Sequence, residues 1–169
     1  MKTAKGIPEF DENGNLPFGI YEVDFDEFKN KFSDGLSQRR TTIMKHYEKH
    51  LKEILDWEYV LNHWIDGSFI TTEENPGDID TLTEMNGLLC DLDDSKDEIQ
   101  TMFDYAPLYT EKCCHSFCIY HYPEENKIEH ELYLDAKATY LMLRFAKDRL
   151  GNPKGILQLN LNGGEMNEI

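Results

Sequence analysis

Four residues in the middle of the chain have the types and spacing of a metal and phosphate site. Gly67 and Ser68 form a Gly-Ser pair, and Asp78 and Asp80 form an Asp-x-Asp pair shortly after it. Because side chains alternate between the two faces of a strand, Asp78 and Asp80 point the same way, with Ile79 buried between them. Paired carboxylates are ligands for divalent cations, so this spacing predicts a metal site.

The Gly-Ser pair predicts the phosphate-binding part of such a site. Residues 60–65 are compact, aromatic and branched, which predicts a buried strand that leads into the Gly67-Ser68 turn. A glycine there lets backbone amides approach phosphate oxygens, and the Ser68 hydroxyl can add a hydrogen bond. The alternative is structural: Gly67 and Gly77 are turn glycines, Asp78 is a capping or turn residue and Asp80 is merely exposed.

A second group of possible metal ligands lies later in the chain. Three cysteines and two histidines fall within nine residues: Cys113, Cys114, His115, Cys118 and His121. Thiols and imidazoles bind zinc, but neighbouring strand residues face opposite ways, so Cys113 and Cys114 do not share a face. We therefore expect buried small apolar side chains here. Sequence adjacency also supplies no positioned base for a Cys–His nucleophile pair.

Hydrophobic periodicity predicts the elements that position these residues. Apolar residues at three- and four-residue spacing predict a long helix over 37–56 and a shorter one over 95–106. Strand-like stretches cover 78–83, 113–122 and 156–161, while 128–148 fits either a helix or a strand. The predicted fold class is α/β (α+β), with a small mixed sheet backed by helices.

The length favours a single domain over residues 1–169. Pro, Gly and Asn-Gly turn signals surround isolated hydrophobic residues near the start, so 1–22 is expected to be an ordered arm docked on the body. Residues 162–169 contain a Gly-Gly pair and are expected to be a frayed tail.

The chain is strongly acidic, with 17 Lys and Arg against 33 Asp and Glu and a net charge of −16. Residues 51–111 hold two basic and 16 acidic side chains, a net charge of −14, among core-like aromatic residues. This charge disfavours unaided binding to nucleic acid or to an anionic membrane, and it favours divalent cations or a basic partner. No apolar run has the length of a membrane span or a signal segment, so we expect a cytoplasmic protein with reduced thiols.

The Gly-Ser and Asp-x-Asp pairs resemble the signature of the nucleotidyltransferase superfamily with a polymerase-beta-like fold. The matching residues are Gly67, Ser68, Asp78 and Asp80. Most of the chain is also similar to a family of small, largely uncharacterised bacterial nucleotidyltransferase-like proteins. The stretches that carry this similarity are Ile7-Pro8-Glu9-Phe10-Asp11, Asn13-Gly14-Asn15-Leu16-Pro17, Trp64-Ile65-Asp66-Gly67-Ser68-Phe69, Pro76-Gly77-Asp78-Ile79-Asp80, Asp148-Arg149 and Pro153-Lys154-Gly155-Ile156.

The superfamily resemblance implies an NTP bound with Mg²⁺ and transfer of a nucleoside monophosphate to a hydroxyl of a protein or RNA acceptor. It implies that Asp78 and Asp80 are the catalytic metal ligands and that Gly67 and Ser68 hold phosphates. Small members of the superfamily work in bacterial toxin–antitoxin or antiphage modules, which is the context expected here by analogy.

Two cations flank a later turn and are further candidates. Arg149 can hold phosphate as a fork and Lys154 as a point charge, and the resemblance makes both candidates for NTP binding. The alternative is a turn whose charges are simply solvated.

The chain departs from the superfamily pattern in one respect. Active members usually carry a third carboxylate on a later strand, and the corresponding predicted strand here has none. Residues 113–121 contain no acid, and the other carboxylates that could serve have no position fixed by the sequence: Asp91, Asp93, Glu129 and Glu131. A second interpretation is therefore a catalytically degenerate member that acts as an acidic binding or inhibitory subunit for a basic partner protein. A third, a nucleic-acid mimic, fits the charge but leaves the motif spacing as coincidence.

Overall fold

A computed structural model of the protein describes residues 1–161, and it has an α/β fold with one mixed, six-stranded sheet. The strands are β1 (Thr3–Lys5), β2 (Ile20–Val23), β3 (Val60–Asp66), β4 (Ile79–Asn86), β5 (Cys114–His121) and β6 (Ile156–Leu159). The helices are α1 (Phe25–Phe32), α2 (Gln38–Leu55), α3 (Gly87–Leu92), α4 (Lys96–Phe103), α5 (Ala106–Thr110) and α6 (Lys127–Ala138). The predicted mixed sheet backed by helices is confirmed.

The strand order is β1-β2-β6-β3-β4-β5. Strand β3 is antiparallel to β4 and β6, whereas β4 and β5 are parallel. The last residues of β3 therefore lie next to the first residues of β4, which in turn lie next to the first residues of β5. The register places Asp80 opposite Asp66 on one side and opposite His115 on the other. Asp66, Asp80 and His115 are thus neighbours across three strands, at the end of the sheet where β3 finishes and where β4 and β5 begin.

Several elements differ from the sequence-based expectations. Residues 1–22 do more than dock, because they contribute β1 and β2, and β2 pairs in parallel with β6. The ambiguous stretch 128–148 forms α6 and continues as a π-helical segment, Thr139–Phe145. The short helices α3 and α5 were not predicted. The expected frayed tail, 162–169, lies outside the described residues.

The predicted long helix is confirmed as α2, whose buried face packs in the main hydrophobic core. Its N-cap is Ser37, whose hydroxyl oxygen accepts a hydrogen bond from the Arg40 backbone N–H at 3.3 Å. Its buried face recurs with helical spacing: Ile43, Met44, Tyr47, Leu51 and Ile54. Across residues 1–161, no helix combines the length and the apolar character that crossing a membrane requires.

A buried arginine of α2 holds the loop that connects β3 to β4. The Arg40 side chain is only 3% exposed, and its guanidinium donates hydrogen bonds to backbone carbonyl oxygens. Nη1 donates to Phe32 at 2.9 Å and to Phe69 at 2.7 Å, and Nη2 donates to Thr71 at 2.8 Å. Nε donates to Glu73 at 3.0 Å. Together with the buried side chains of Phe69 and Ile70, these bonds fix the backbone that leads from Gly67 to Asp78.

Candidate metal and phosphate site

One cleft, with a volume of about 570 Å³, collects the residues that the sequence analysis singled out. Six predicted site residues line it: Gly67, Ser68, Asp78, Asp80, Arg149 and Lys154. They come from the turn after β3, the start of β4 and the segment before β6. The cleft is also lined by residues that were not predicted, among them Asp66, Arg144 and Lys147.

A group of three possible metal ligands lies at the start of β4 and β5. Asp78, Asp80 and His115 each offer a ligand atom, and these atoms lie within 4.8 Å of one another. His115 Nδ1 is 3.2 Å from Asp80 Oδ1. Ile79 is fully buried between the two half-buried aspartates, as the alternation predicted. His115 was not predicted as their neighbour, since only the β4–β5 register brings it there.

Asp80 lies in surroundings that disfavour its negative charge. Burial raises the pKa of Asp80, the neighbouring Asp78 raises it further, and His115 acts in the opposite direction. A cation bound between Asp78 and Asp80 would remove this repulsion, which is the electrostatic property expected of a metal site.

The cysteines considered as zinc ligands do not belong to a possible metal-binding group within residues 1–161. Within residues 1–161, Asp78, Asp80 and His115 are the only group of such ligands close enough to share an ion. Burial raises the pKa values of Cys114 and Cys118 to about 12, so both side chains are thiols at neutral pH. A thiol is a much poorer zinc ligand than a thiolate.

The carboxylates considered as a replacement third ligand lie elsewhere. Asp91 forms an ion pair with Lys96 at 2.5 Å, and Asp93 accepts a hydrogen bond from the Tyr59 hydroxyl. Glu129 and Glu131 are exposed on α6. None of the four lines the cleft.

The Gly67 turn fits closely against Asp80. Gly67 has a φ of +87°, which favours glycine, and a Cβ there would be 2.2 Å from Asp80 Oδ2. The Ser68 hydroxyl oxygen is buried and makes no hydrogen bond within the described part of the chain. A buried hydroxyl without a partner carries a free-energy cost, which a hydrogen bond to a ligand would remove.

A buried ion pair lies directly behind this turn. Asp66 and Lys154 are 4% and 5% exposed, and Lys154 Nζ is 2.9 Å from Asp66 Oδ1. Lys154 Nζ also donates to the Gly67 carbonyl oxygen at 3.4 Å. Burial raises the pKa of Asp66 to about 7, although the charge of Lys154 lowers it. The contacts of Lys154 with Asp66 and with the Gly67 carbonyl oxygen hold the turn, and its predicted role in phosphate binding stays a prediction.

Three further cations border the cleft. Arg149 and Lys147 are exposed, and both belong to the turn before β6. Arg144 lies over the rings of Phe117 and Tyr140, with its guanidinium carbon 5.1 and 5.4 Å from their centroids. These cation–π contacts position the Arg144 side chain, which also lines the cleft.

The turn that carries Arg149 is ordered by one carboxylate. Asp148 Oδ1 accepts hydrogen bonds from the backbone N–H groups of Leu150 and Asn152, each at 2.9 Å. Asp148 Oδ2 accepts from the side-chain amides of Asn152 at 2.9 Å and Asn15 at 3.2 Å. The hydrogen bonds from Asn152 above all lower the pKa of Asp148. Asn15 belongs to the N-terminal arm, so the arm helps to position the cleft's cations.

Comparison with known proteins then places the chain in a family. Residues 8–160 match the model of a family of unknown function, DUF6932. The chain belongs to DUF6932. The matched DUF6932 region includes all six predicted site residues and His115. Neither the curated proteins nor the solved structures include a significant match to this chain.

Proposed function

We propose that this DUF6932 chain is a minimal nucleotidyltransferase that transfers a nucleoside monophosphate from an NTP to a hydroxyl group of a protein or RNA acceptor. One observation carries the proposal. Paired carboxylates, a glycine turn with an unpartnered hydroxyl, and three cations border the same cleft. These are the groups that metal-assisted phosphoryl transfer requires.

The cleft supports NTP binding by size and by charge. A volume of about 570 Å³ is within the range of small-molecule sites. Arg149, Arg144 and Lys147 supply positive charge for phosphate oxygens, with the arginines as forks. Asp78 and Asp80 supply the oxygen ligands that Mg²⁺ prefers, with the remaining positions left to phosphate and water. Bound there, the metal would orient the phosphates and neutralise their developing charge.

The proposed reaction is an in-line displacement at the α-phosphorus. The acceptor oxygen forms a bond to phosphorus as the bond to the oxygen that bridges the α- and β-phosphates breaks. Pyrophosphate leaves with the electron pair of that bond, and the hydroxyl proton passes to solvent. The chain's contribution is to hold the triphosphate by its cations, while Asp78 and Asp80 would hold the metal that neutralises charge on the phosphates.

We favour a basic protein as the acceptor, because the net charge of −16 repels a free RNA strand. The charge also suits a stable partner that supplies recognition, as expected for a toxin–antitoxin or antiphage module. Transfer to RNA is the other outcome that the experiment below distinguishes.

The test is incubation of the purified protein with each α-labelled NTP and Mg²⁺, alone and with cell lysate. Asp78→Asn/Asp80→Asn is the site variant. Asp91→Asn/Asp93→Asn is its matched control, since it removes the same charge at the same spacing outside the cleft. Label on protein or RNA with wild type and control, but not with the site variant, would support the proposal. No label under any condition would overturn it.

A second candidate function is a non-catalytic acidic subunit that binds a basic partner protein. The specific observation in its favour is that the third side chain beside Asp78 and Asp80 is an imidazole, His115, whereas the superfamily resemblance implies a third carboxylate. This function predicts no labelling and equal capture of a cationic protein by wild type and by Asp78→Asn/Asp80→Asn.

A further inference from the structure

The third side chain of the cluster is an imidazole, and its geometry matches that of a metal ligand. His115 is in register with Asp80 on the neighbouring parallel strand, and the distance from Nδ1 to Asp80 Oδ1 is 3.2 Å. Adjacent ligands of a six-coordinate ion with bonds of about 2.1 Å lie about 3 Å apart. The Asp80 oxygen and the His115 nitrogen therefore have the spacing of two neighbouring ligands of one ion.

Aromatic neighbours hold the imidazole in this orientation. The His115 ring centroid lies 4.8 Å from that of Tyr109 and 4.4 Å from that of Phe117. Phe117 follows on the same face of β5, while Tyr109 comes from α5. The His115 side chain remains 41% exposed, so Nδ1 is directed at Asp80 without the ring being enclosed. A pre-oriented ligand binds metal with a smaller loss of side-chain entropy.

A second observation points to a ligand in the same cleft. The Ser68 hydroxyl oxygen is buried and makes no hydrogen bond within residues 1–161. It follows Gly67, which lies against Asp80 Oδ2. A metal-bound water or phosphate beside Asp80 would give this oxygen the partner it lacks.

The nature of the third ligand bears on which metal is bound. Mg²⁺ prefers oxygen ligands, whereas an imidazole nitrogen strengthens binding of first-row transition-metal ions. We propose that Asp78, Asp80 and His115 form a centre that selects a first-row transition-metal dication, such as Mn²⁺, over Mg²⁺. The proposal rests on the proposed function only for the use of the metal, because binding is measured without nucleotide.

The experiment measures metal binding directly. Metal-free protein is titrated with Mn²⁺ and with Mg²⁺ by calorimetry, and bound Mn²⁺ is examined by pulsed electron paramagnetic resonance for coupling to an imidazole nitrogen. His115→Asp offers oxygen ligands alone. His121→Asp, on the same strand but outside the cluster, is the matched control. Circular dichroism confirms that each variant is folded.

We expect wild type and His121→Asp to bind Mn²⁺ at least about tenfold more tightly than Mg²⁺, with a nitrogen coupling. His115→Asp should lose that coupling and most of the preference. Equal affinities for the two metals in wild type, or bound Mn²⁺ without a nitrogen coupling, would overturn the proposal. A Mn²⁺-selective protein that labels no acceptor with either metal would keep this proposal and overturn the nucleotidyltransferase one. Label transfer with Mg²⁺ and no preference for Mn²⁺ would do the reverse.

Discussion

Gly67 lies so close to the Asp80 carboxylate that a side chain at position 67 would displace it. A Cβ at position 67 would be 2.2 Å from Asp80 Oδ2, and the glycine has a φ of +87°. The turn therefore requires glycine twice, once for its backbone conformation and once for the space that the carboxylate occupies. The Gly67 turn and the start of β4 therefore form one structural unit.

Replacement of Gly67 by alanine tests this unit. The added methyl group must displace Asp80, and the positive φ adds backbone strain, so we expect a loss of about 1–3 kcal/mol in the free energy of unfolding. Mn²⁺ affinity should fall at least about tenfold in calorimetry, because Asp80 moves away from Asp78 and His115.

Gly77→Ala is the matched control for this experiment. Gly77 lies in the same loop, but a Cβ there would meet nothing within 4 Å. We expect its stability to stay within about 0.5 kcal/mol of wild type and its metal affinity to be unchanged. Equal effects of the two substitutions would contradict the proposed contact between Gly67 and Asp80.

The buried ion pair of Asp66 and Lys154 predicts a second stability effect. Lys154→Met leaves the Asp66 carboxyl buried without its partner, so we expect a loss of about 3 kcal/mol in the free energy of unfolding. With the cation removed, the pKa of Asp66 should rise above its wild-type value of about 7. Urea denaturation at several pH values measures both effects.

The sign of the pH dependence follows from that raised pKa. Folded protein with a raised carboxyl pKa holds a proton that the unfolded chain releases, so Lys154→Met should lose stability as pH rises from 6.5 to 8.5. Asp66→Asn/Lys154→Met has no carboxyl at position 66 and should recover much of the stability, without the contribution of Asp66 to the slope. A double variant as unstable as Lys154→Met at every pH would contradict this account.

We expect the two buried histidines, His50 and His63, to lower the free energy of unfolding in acid. Burial lowers the pKa of His50 to about 4 and that of His63 to about 3, so both are neutral when folded at pH 5. The unfolded chain binds a proton at each imidazole below about pH 6.5. Each histidine therefore reduces the free energy of unfolding by about 1.4 kcal/mol per pH unit as pH falls from 6.5 to 4.

His50→Phe isolates one of these contributions. Its plot of unfolding free energy against pH should be shallower than that of wild type by about 1.4 kcal/mol per unit between pH 6.5 and 4. The difference between the two proteins cancels the opposite contributions of Asp66 and Asp80, whose pKa values are raised. A plot for His50→Phe that runs parallel to that of wild type would refute the prediction.

We expect replacement of Arg149 to lower the affinity for an NTP. It is exposed at the cleft on a turn ordered by Asp148, so Arg149→Ala should weaken NTP binding about tenfold with little change in stability. Calorimetry with an NTP in the presence of Mn²⁺ measures the affinity. Lys127→Ala removes an exposed cation of α6 that does not line the cleft, and it should bind like wild type. Equal losses in both variants would indicate a general charge effect.

Much of the candidate site was accessible from local sequence pattern. The alternation of Asp78, Ile79 and Asp80 predicted two half-buried carboxylates around a buried isoleucine, and the strand that leads into the Gly67 turn was predicted as well. These are properties of neighbouring residues, and side-chain alternation along a strand depends only on backbone geometry. The periodicity of α2 predicted its boundaries for the same reason.

The partners of these residues were decided by the tertiary structure alone. Asp80 meets His115 because β4 and β5 pair in parallel in one particular register, and a shift of one residue would turn His115 to the other face. Lys154 reaches Asp66 because the segment before β6 passes behind the turn that follows β3. The sequence determined which residues could do chemistry, since residue type and local spacing are local properties. Only the fold determined their partners, because strand order and register depend on contacts between distant segments that no local pattern records.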